Sequence, residues 1–436
     1  MRQRALWIIL GIALVTRLGF LVAARGDVGR LFTPDSHEYD ALARNLLQAG
    51  RFVRAAGAEV ELFRTPGYPL FLAAVYGLSG GSLSAVLAVQ VLLDVALCLL
   101  VYLLGRQLCS HRAGLLAAAL QAVSTVAIVA SLRVLSDGLF AFLLTADLLL
   151  LAHHLKTSRL WPLAAGAVVA AAACYVRPVG LYFGLLVPIV LACRRAQRRR
   201  ALVFAAVFAA GVVPWIARNH FAADYRGFST LPVRAAFHYQ GPYVMAKAEG
   251  ISVDRARQRL EDELAGYAAG AKRSRGELEA RKASLGLAVL KRHPWTFLAM
   301  HGRGSLIVWV PGESQLLELA GVRVGQRGTL AVLAQQGLAA AVRHYTRGQT
   351  WVLWVLVPFS LILAAKYALA LTGVWRHARL RMGAMGWLVT GTFLLLTALP
   401  GVFGHPRFRV PVMPLLNVAA AAGVFALVDR LRPGRP

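Results

Sequence analysis

Three carboxylates and a histidine crowd one short stretch, Asp35-Ser-His-Glu-Tyr-Asp40, as Asp35, His37, Glu38 and Asp40. A carboxylate within hydrogen-bond reach of a hydroxyl can take its proton as that hydroxyl attacks, so Asp35 and Glu38 are candidate general bases. The competing role for Asp35 is to cap a helix beginning at Ser36, and the residue types alone leave both roles open. Asp35, His37 and Glu38 could also contribute ligands to a divalent cation; no obligatory metal or other cofactor is expected.

A second set of residues suits anions. Arg64 and Tyr68 lie in Phe63-Arg-Thr-Pro-Gly-Tyr-Pro69, where two prolines and a glycine impose a defined non-helical backbone. Arg177, Arg218 and the His405-Pro-Arg-Phe-Arg-Val-Pro411 group, with His405, Arg407 and Arg409, each have a proline close by. A guanidinium forks onto phosphate oxygens, although arginines also snorkel at a membrane surface without binding a ligand.

The elements that must position these groups are set by composition. Of 436 residues, 58% are hydrophobic and 16% charged, and the formal net charge is +28. Ordinary globular domains are about a quarter charged, so a soluble enzyme is excluded. The basic residues separate long apolar runs instead of forming a folded basic surface, which excludes nucleic acid as the partner and favours the lipid bilayer. Ten runs are long enough to read as transmembrane helices: roughly 5–24, 83–105, 113–129, 134–153, 160–175, 179–193, 201–217, 350–372, 383–400 and 410–429. Two more, 69–78 and 297–310, are short or interrupted and are read as re-entrant or interfacial. The four cysteines have neither metal-site nor redox spacing, so no disulfide and no zinc site is expected.

The cluster Arg194-Arg-Ala-Gln-Arg-Arg-Arg200, followed by Arg376–Arg381 and Asp429–Arg432, belongs in the cytoplasm by the positive-inside rule. Both termini then lie inside. The segments 25–64 and 218–349 lie outside, within a single transmembrane domain covering 1–436. The first carries a surface helix around Tyr39–Leu47. The second carries helices starting at Ser252 and, with capping-box spacing, at Ser274. Arginines on the outer side run against the charge bias, and an anionic ligand there explains them. Arg17, Asp94, Asp137, Asp147 and Lys366 fall at membrane depth and need partners or a cavity. Arg17 is placed to lean toward Asp35 or a phosphate and Asp137 to line the same cavity, together with His37 and Tyr39. Asp94 and Asp147 are read as helix contacts.

The order of these motifs resembles the GT-C superfamily of polyprenyl-phosphate-sugar-dependent glycosyltransferases, near the protein O-mannosyltransferases and lipid A aminoarabinose transferases. The matching residues are Asp35 with Tyr39, Arg64-Thr-Pro-Gly-Tyr-Pro69, Arg177-Pro178, Pro214-Trp215 with Arg218-Asn219, and His405–Pro411. The resemblance implies an all-α polytopic bundle of about 10–12 transmembrane helices in the cytoplasmic membrane, with interfacial helices in its extracytoplasmic loops. It also implies transfer from a polyprenyl-phosphate sugar to a protein, lipid or glycan hydroxyl at the extracytoplasmic face. The essential first-loop aspartate falls on Asp35. Many relatives have a second acidic residue next to it, whereas here Ser36 follows and the next carboxylate is Glu38.

The inventory fits this chemistry without the name. Phosphate leaves an anomeric carbon unaided by an acid, so the reaction needs one base and several cations, with Arg64, Arg218, Arg407 and Arg409 expected at the phosphate. A base on the face opposite the phosphate inverts the sugar's configuration. The main rival is a carrier or flippase for a lipid-linked anionic sugar, which would use the same arginines and the intramembrane carboxylates as a proton path. A non-catalytic envelope scaffold is the third reading.

Overall fold

The computed structural model describes residues 2–24, 27–55, 57–325, 328–379 and 383–431. Arg381 and Arg432, which the orientation reading used, lie outside them. Among the described residues every regular element is helical. The first ten α-helices are α1 (Arg2–Ala24), α2 (Pro34–Ala49), α3 (Gly67–Ser79), α4 (Leu83–Leu108), α5 (His111–Ala122), α6 (Thr125–Leu132), α7 (Asp137–Thr157), α8 (Leu160–Val176), α9 (Gly180–Ala192) and α10 (Arg198–Ala223). Then follow α11 (Leu231–Arg234), α12 (Gly241–Glu249), α13 (Val253–Ala269), α14 (Arg275–Arg292), α15 (Pro294–Ile307), α16 (Ser314–Leu319) and α17 (Thr329–Thr346). The chain ends with α18 (Leu353–Arg379), α19 (Ala384–Ala398) and α20 (Met413–Leu431).

Each of the ten apolar runs is largely helical, but three of them form α8, α9 and α19, which at 17, 13 and 15 residues are shorter than a full span. Among the described residues, six helices are long and apolar enough to cross a membrane by themselves, and α5 with α6 make a seventh, bent by 56°. The chain is an integral membrane protein. The run read as one span over 113–129 is therefore broken, and the break falls at Val123-Ser124, where the Ser124 carbonyl starts α6 by accepting from Ile128. The two short runs are α3 and α15, of 13 and 14 residues. At 1.5 Å per residue each rises about 20 Å, less than the roughly 30 Å hydrocarbon core of a bilayer.

All five of the charges at membrane depth are buried, and their settings differ. Arg17 pairs with Asp94 at 2.6 Å, with 0% and 4% of the side chains exposed, and donates to the carbonyls of Ala13 and Ala122. This arginine is spent on joining α1, α4 and the end of α5, and it does not reach Asp35. Asp147 lies fully buried against Gly166, and neither carboxylate oxygen has a hydrogen-bond partner.

The capping signals also appear as structure. Ser252 caps α13, and Ser274 and Glu277 form a reciprocal capping box at the start of α14. A further short stretch, Pro406–Val412, is a 3-10 helix between α19 and α20.

Candidate active site

The site begins with how α2 starts. Thr33 is its N-cap: the Thr33 hydroxyl accepts from the Ser36 N–H, and the Ser36 hydroxyl accepts from the Thr33 N–H. Pro34 occupies the first helical position, where its missing N–H costs nothing. The cap is thereby complete without Asp35, which sits in the first turn with its carboxylate available. Residues three and four apart share a helix face, so Asp35, Glu38 and Tyr39 point the same way. His37, two residues on, is exposed on the other side and packs on Phe32 at 5.0 Å.

Arg64 binds this face as a fork. Its guanidinium donates to Asp35 Oδ1 at 2.6 Å, to Glu38 Oε2 at 2.6 Å and to the Tyr39 hydroxyl at 3.3 Å. Arg407 takes the other Asp35 oxygen at 2.5 Å. Burial alone would raise the pKa of Asp35, but the charges of Arg407 and Arg64 outweigh it and lower it to about 2. The same carboxylates and Tyr39 raise the pKa of Arg64 against its own burial.

Each arginine is placed by a local device. Glu61, buried and missed in the sequence reading, accepts from the backbone N–H groups of Phe63 and Arg64 at 2.7 and 2.9 Å and pairs with Arg54. Burial opposes its charge, but Arg54 and these N–H groups hold its pKa below the usual value. Gly67 then seats α3: a Cβ there would lie 2.6 Å from the Tyr175 backbone at the end of α8. For Arg407, a close crossing sets the backbone, since a Cβ on Gly404 would lie 1.6 Å from the Gly304 carbonyl of α15. His405 caps the 3-10 helix by accepting from the Arg407 N–H at 3.1 Å, and burial with nearby Arg407 pushes its pKa down to about 4.

Other expected residues gather around this centre without touching Asp35. Arg177 pairs with Asp137 at 2.6 Å, and both Arg177 and Arg407 lie against the Phe408 ring, at 6.0 and 5.2 Å. Asp137 and Arg407 line one small cavity. Tyr39 also meets Ser136 at 3.2 Å, and its ring stands edge-on to Tyr68. The Tyr68 hydroxyl is buried on Gln90, so this tyrosine supports Tyr39 from below. Arg218 donates to the Glu61 carbonyl at 3.0 Å and stacks on Trp215, so it braces the segment that carries Arg64.

Arg409 is placed elsewhere. It is 1% exposed and donates to the carbonyls of Val308 and Val310 and to the Tyr367 hydroxyl. In a 3-10 helix residues advance by about 120°, so positions two apart face different ways, and Arg407 and Arg409 diverge.

Comparison with known proteins bears on the fold. Residues 64–217 match the family model described as dolichyl-phosphate-mannose-protein mannosyltransferase. Among curated proteins no significant match is found. Among solved structures, the apo oligosaccharyltransferase of Archaeoglobus fulgidus superposes with a TM-score of 0.54 at 17% identity, covering 99% of this chain and 51% of that one. The chain has a GT-C-like fold. The same archaeal protein in complex with Zn and sulfate gives 0.53 at 15% identity, covering 97% of this chain and 49% of that one. ArnT from Cupriavidus metallidurans in the apo state gives 0.43 at 16% identity, covering 95% and 77%. The GT-C-like chain thus spans about half the length of the archaeal enzyme.

Proposed function

We propose that the protein is an inverting glycosyltransferase that moves a sugar from a polyprenyl-phosphate donor to an acceptor hydroxyl at the extracytoplasmic face of the cytoplasmic membrane. The observation that carries this reading is Asp35 held between Arg64 and Arg407, a base and two cations converging at one end of a membrane bundle. The match over 64–217 to the mannosyltransferase family model supports it.

A carboxylate with a pKa of about 2 is a weak base, so the arginines must leave it before it can act. An incoming donor phosphate supplies the reason. Its oxygens compete with Asp35 for the same guanidinium N–H groups, and bidentate arginine–phosphate pairs are among the stronger charge-assisted contacts. As Arg407 and Arg64 turn to the phosphate, Asp35 loses its cations and gains basicity. The acceptor hydroxyl then gives its proton to Asp35 while its oxygen bonds the anomeric carbon. The sugar–phosphate bond breaks, and the arginines hold the charge that collects on the phosphate. Attack opposite the leaving phosphate inverts the anomeric centre.

An apolar groove supports a lipid-linked donor. An apolar groove of about 670 Å3 runs between α7, α8 and α10, with Gly67 at its head, three residues from Arg64. Each methylene kept in an apolar setting contributes about 0.8 kcal/mol, so the lipid stays in the bilayer and the site opens onto it.

A divalent cation at this site would have to displace arginine from the carboxylates. Among the described residues no group of three His, Cys, Asp or Glu side chains could hold one, and Asp35 and Asp137 are each paired with arginine. No step is assigned to a metal.

The test is to supply the purified protein in nanodiscs with a panel of labelled polyprenyl-phosphate sugars and membrane acceptors, and to read the product by mass spectrometry and its anomeric coupling by NMR. A product of anomeric configuration opposite to the donor supports the reading. Retention of configuration, or movement of donor between leaflets with no covalent product, contradicts it.

A further inference from the structure

A second cavity, of about 490 Å3, opens beside the Asp35 site between the segment that carries Arg54 and Glu61 and the helical cap of α11, α13 and α14. Its volume falls within the range of small-molecule sites, roughly 300–1,000 Å3. Its lining is unbalanced in charge. Arg54, Arg234, Arg257, Arg275 and Lys282 face it against only Glu59, Glu61 and Glu279.

All three carboxylates are already engaged: Glu61 by Arg54, Glu59 by Arg275 at 3.3 Å and Glu279 by Lys282 at 2.7 Å. Arg257 pairs with Asp254 at 2.7 Å. Arg234 has no carboxylate partner among the described residues; it lies over the Phe63 ring at 4.3 Å. A ring face takes none of a guanidinium's five N–H donors in an in-plane hydrogen bond, so they are left for something else. A concave wall of one sign concentrates ligands of the other.

The cavity shares a wall with the candidate base. Arg54 pairs with Glu38 at 3.2 Å, Glu38 with Arg64 at 2.6 Å, and Arg64 with Asp35 at 2.6 Å. A molecule anchored beside Arg54 is therefore next to the ion pairs that hold Asp35.

We propose that this cavity binds the acceptor, and that the acceptor is a saccharide carrying a phosphate or carboxylate, held by Arg234 and by Arg275 and Lys282 as they exchange Glu59 and Glu279 for it. This rests on the transferase reading for the word acceptor, but the binding can be measured without transfer.

Calorimetry on the full chain in nanodiscs, with glucose 6-phosphate, glucuronate and glucose as probes, tests it. Either or both anionic sugars should bind and glucose should not, the two anionic arms deciding between phosphate and carboxylate. Arg234→Gln and, separately, Lys282→Gln should each weaken anionic binding by at least about ten-fold, as expected for a lost charge-assisted hydrogen bond. Arg234→Lys should recover part of it. Equal binding of neutral and anionic sugars, or no binding of any, overturns the proposal. So does anionic binding that is lost in Arg407→Gln but kept in Arg234→Gln and Lys282→Gln, which would put the anion at the Asp35 site.

Discussion

Arg407 reaches Asp35 across 372 residues of chain and takes, at 2.5 Å, the carboxylate oxygen that Arg64 leaves free. The two arginines come from unrelated elements, one after the first loop and one in the 3-10 helix before α20. Their meeting on one carboxylate is what the fold achieves at this end of the bundle.

The pairing makes a prediction for pH. Asp35 stays ionised down to a pH of about 2 in the free protein, so its protonation does not limit kcat/KM between pH 5 and 8. Arg407→Gln removes a cation, so the pKa of Asp35 rises toward or past its ordinary value of 3.8, because burial then acts against the charge with less opposition. The acid limb of kcat/KM should move to higher pH in the variant. A limb that stays in place would show that Arg407 does not set the ionisation of Asp35.

Arg64 and Arg407 are expected to respond differently to lysine. Arg64 spans Asp35, Glu38 and Tyr39 with a planar fork, which one ammonium cannot copy. Arg64→Lys should raise the donor KM by about ten-fold or more, whereas Arg407→Lys, replacing a single contact to Asp35, should raise it less. Steady-state kinetics over donor concentration will separate the two.

Glu61 acts through Arg64 and is a positioning residue. Its folded-state pKa is depressed, so its stabilising contribution is present above the unfolded value of 4.5 and is lost as pH falls below it. Glu61→Gln should lower the melting temperature at pH 7, with a difference from the wild type that shrinks toward pH 4. It should also lower kcat more than it raises the acceptor KM, which a purely structural loss would not do.

Arg17 and Asp94 predict a stability effect without a donor effect. Removing either partner leaves a buried charge unpaired, a loss of roughly 3–5 kcal/mol, while replacing both together with apolar residues is close to neutral. Thermal unfolding of Arg17→Met, Asp94→Leu and the double variant checks this. Donor KM should stay at the wild-type value in every variant that folds.

What was legible in the sequence follows from what is local. Helix spans show as apolar runs, and the caps at Ser252 and Ser274 show as spacing, because both depend on neighbours a few residues away. The α5–α6 bend lay inside a continuous apolar run, where no charge or proline marked it. Asp35, Arg64 and Arg407 were identifiable as types, and their meeting was an inference from a shared side of the membrane. Arg17 was misplaced because its partner Asp94 lies 77 residues away in another helix. Arg409 was grouped with Arg407 because two residues of separation in sequence conceal different directions in a 3-10 helix. Glu61 carried a weak signal, a carboxylate three residues before Arg64, that could have been read as a turn-binding side chain.

The most direct test of the account is transfer of labelled sugar from polyprenyl-phosphate donors into membrane acceptors by the wild type and by Asp35→Asn at matched levels of folded protein. A general base contributes about 10²–10⁴-fold, so product formation should fall by that factor in the variant while donor binding persists. Equal product from both proteins would contradict the role given to Asp35 and return it to an ion-pair anchor at the start of α2.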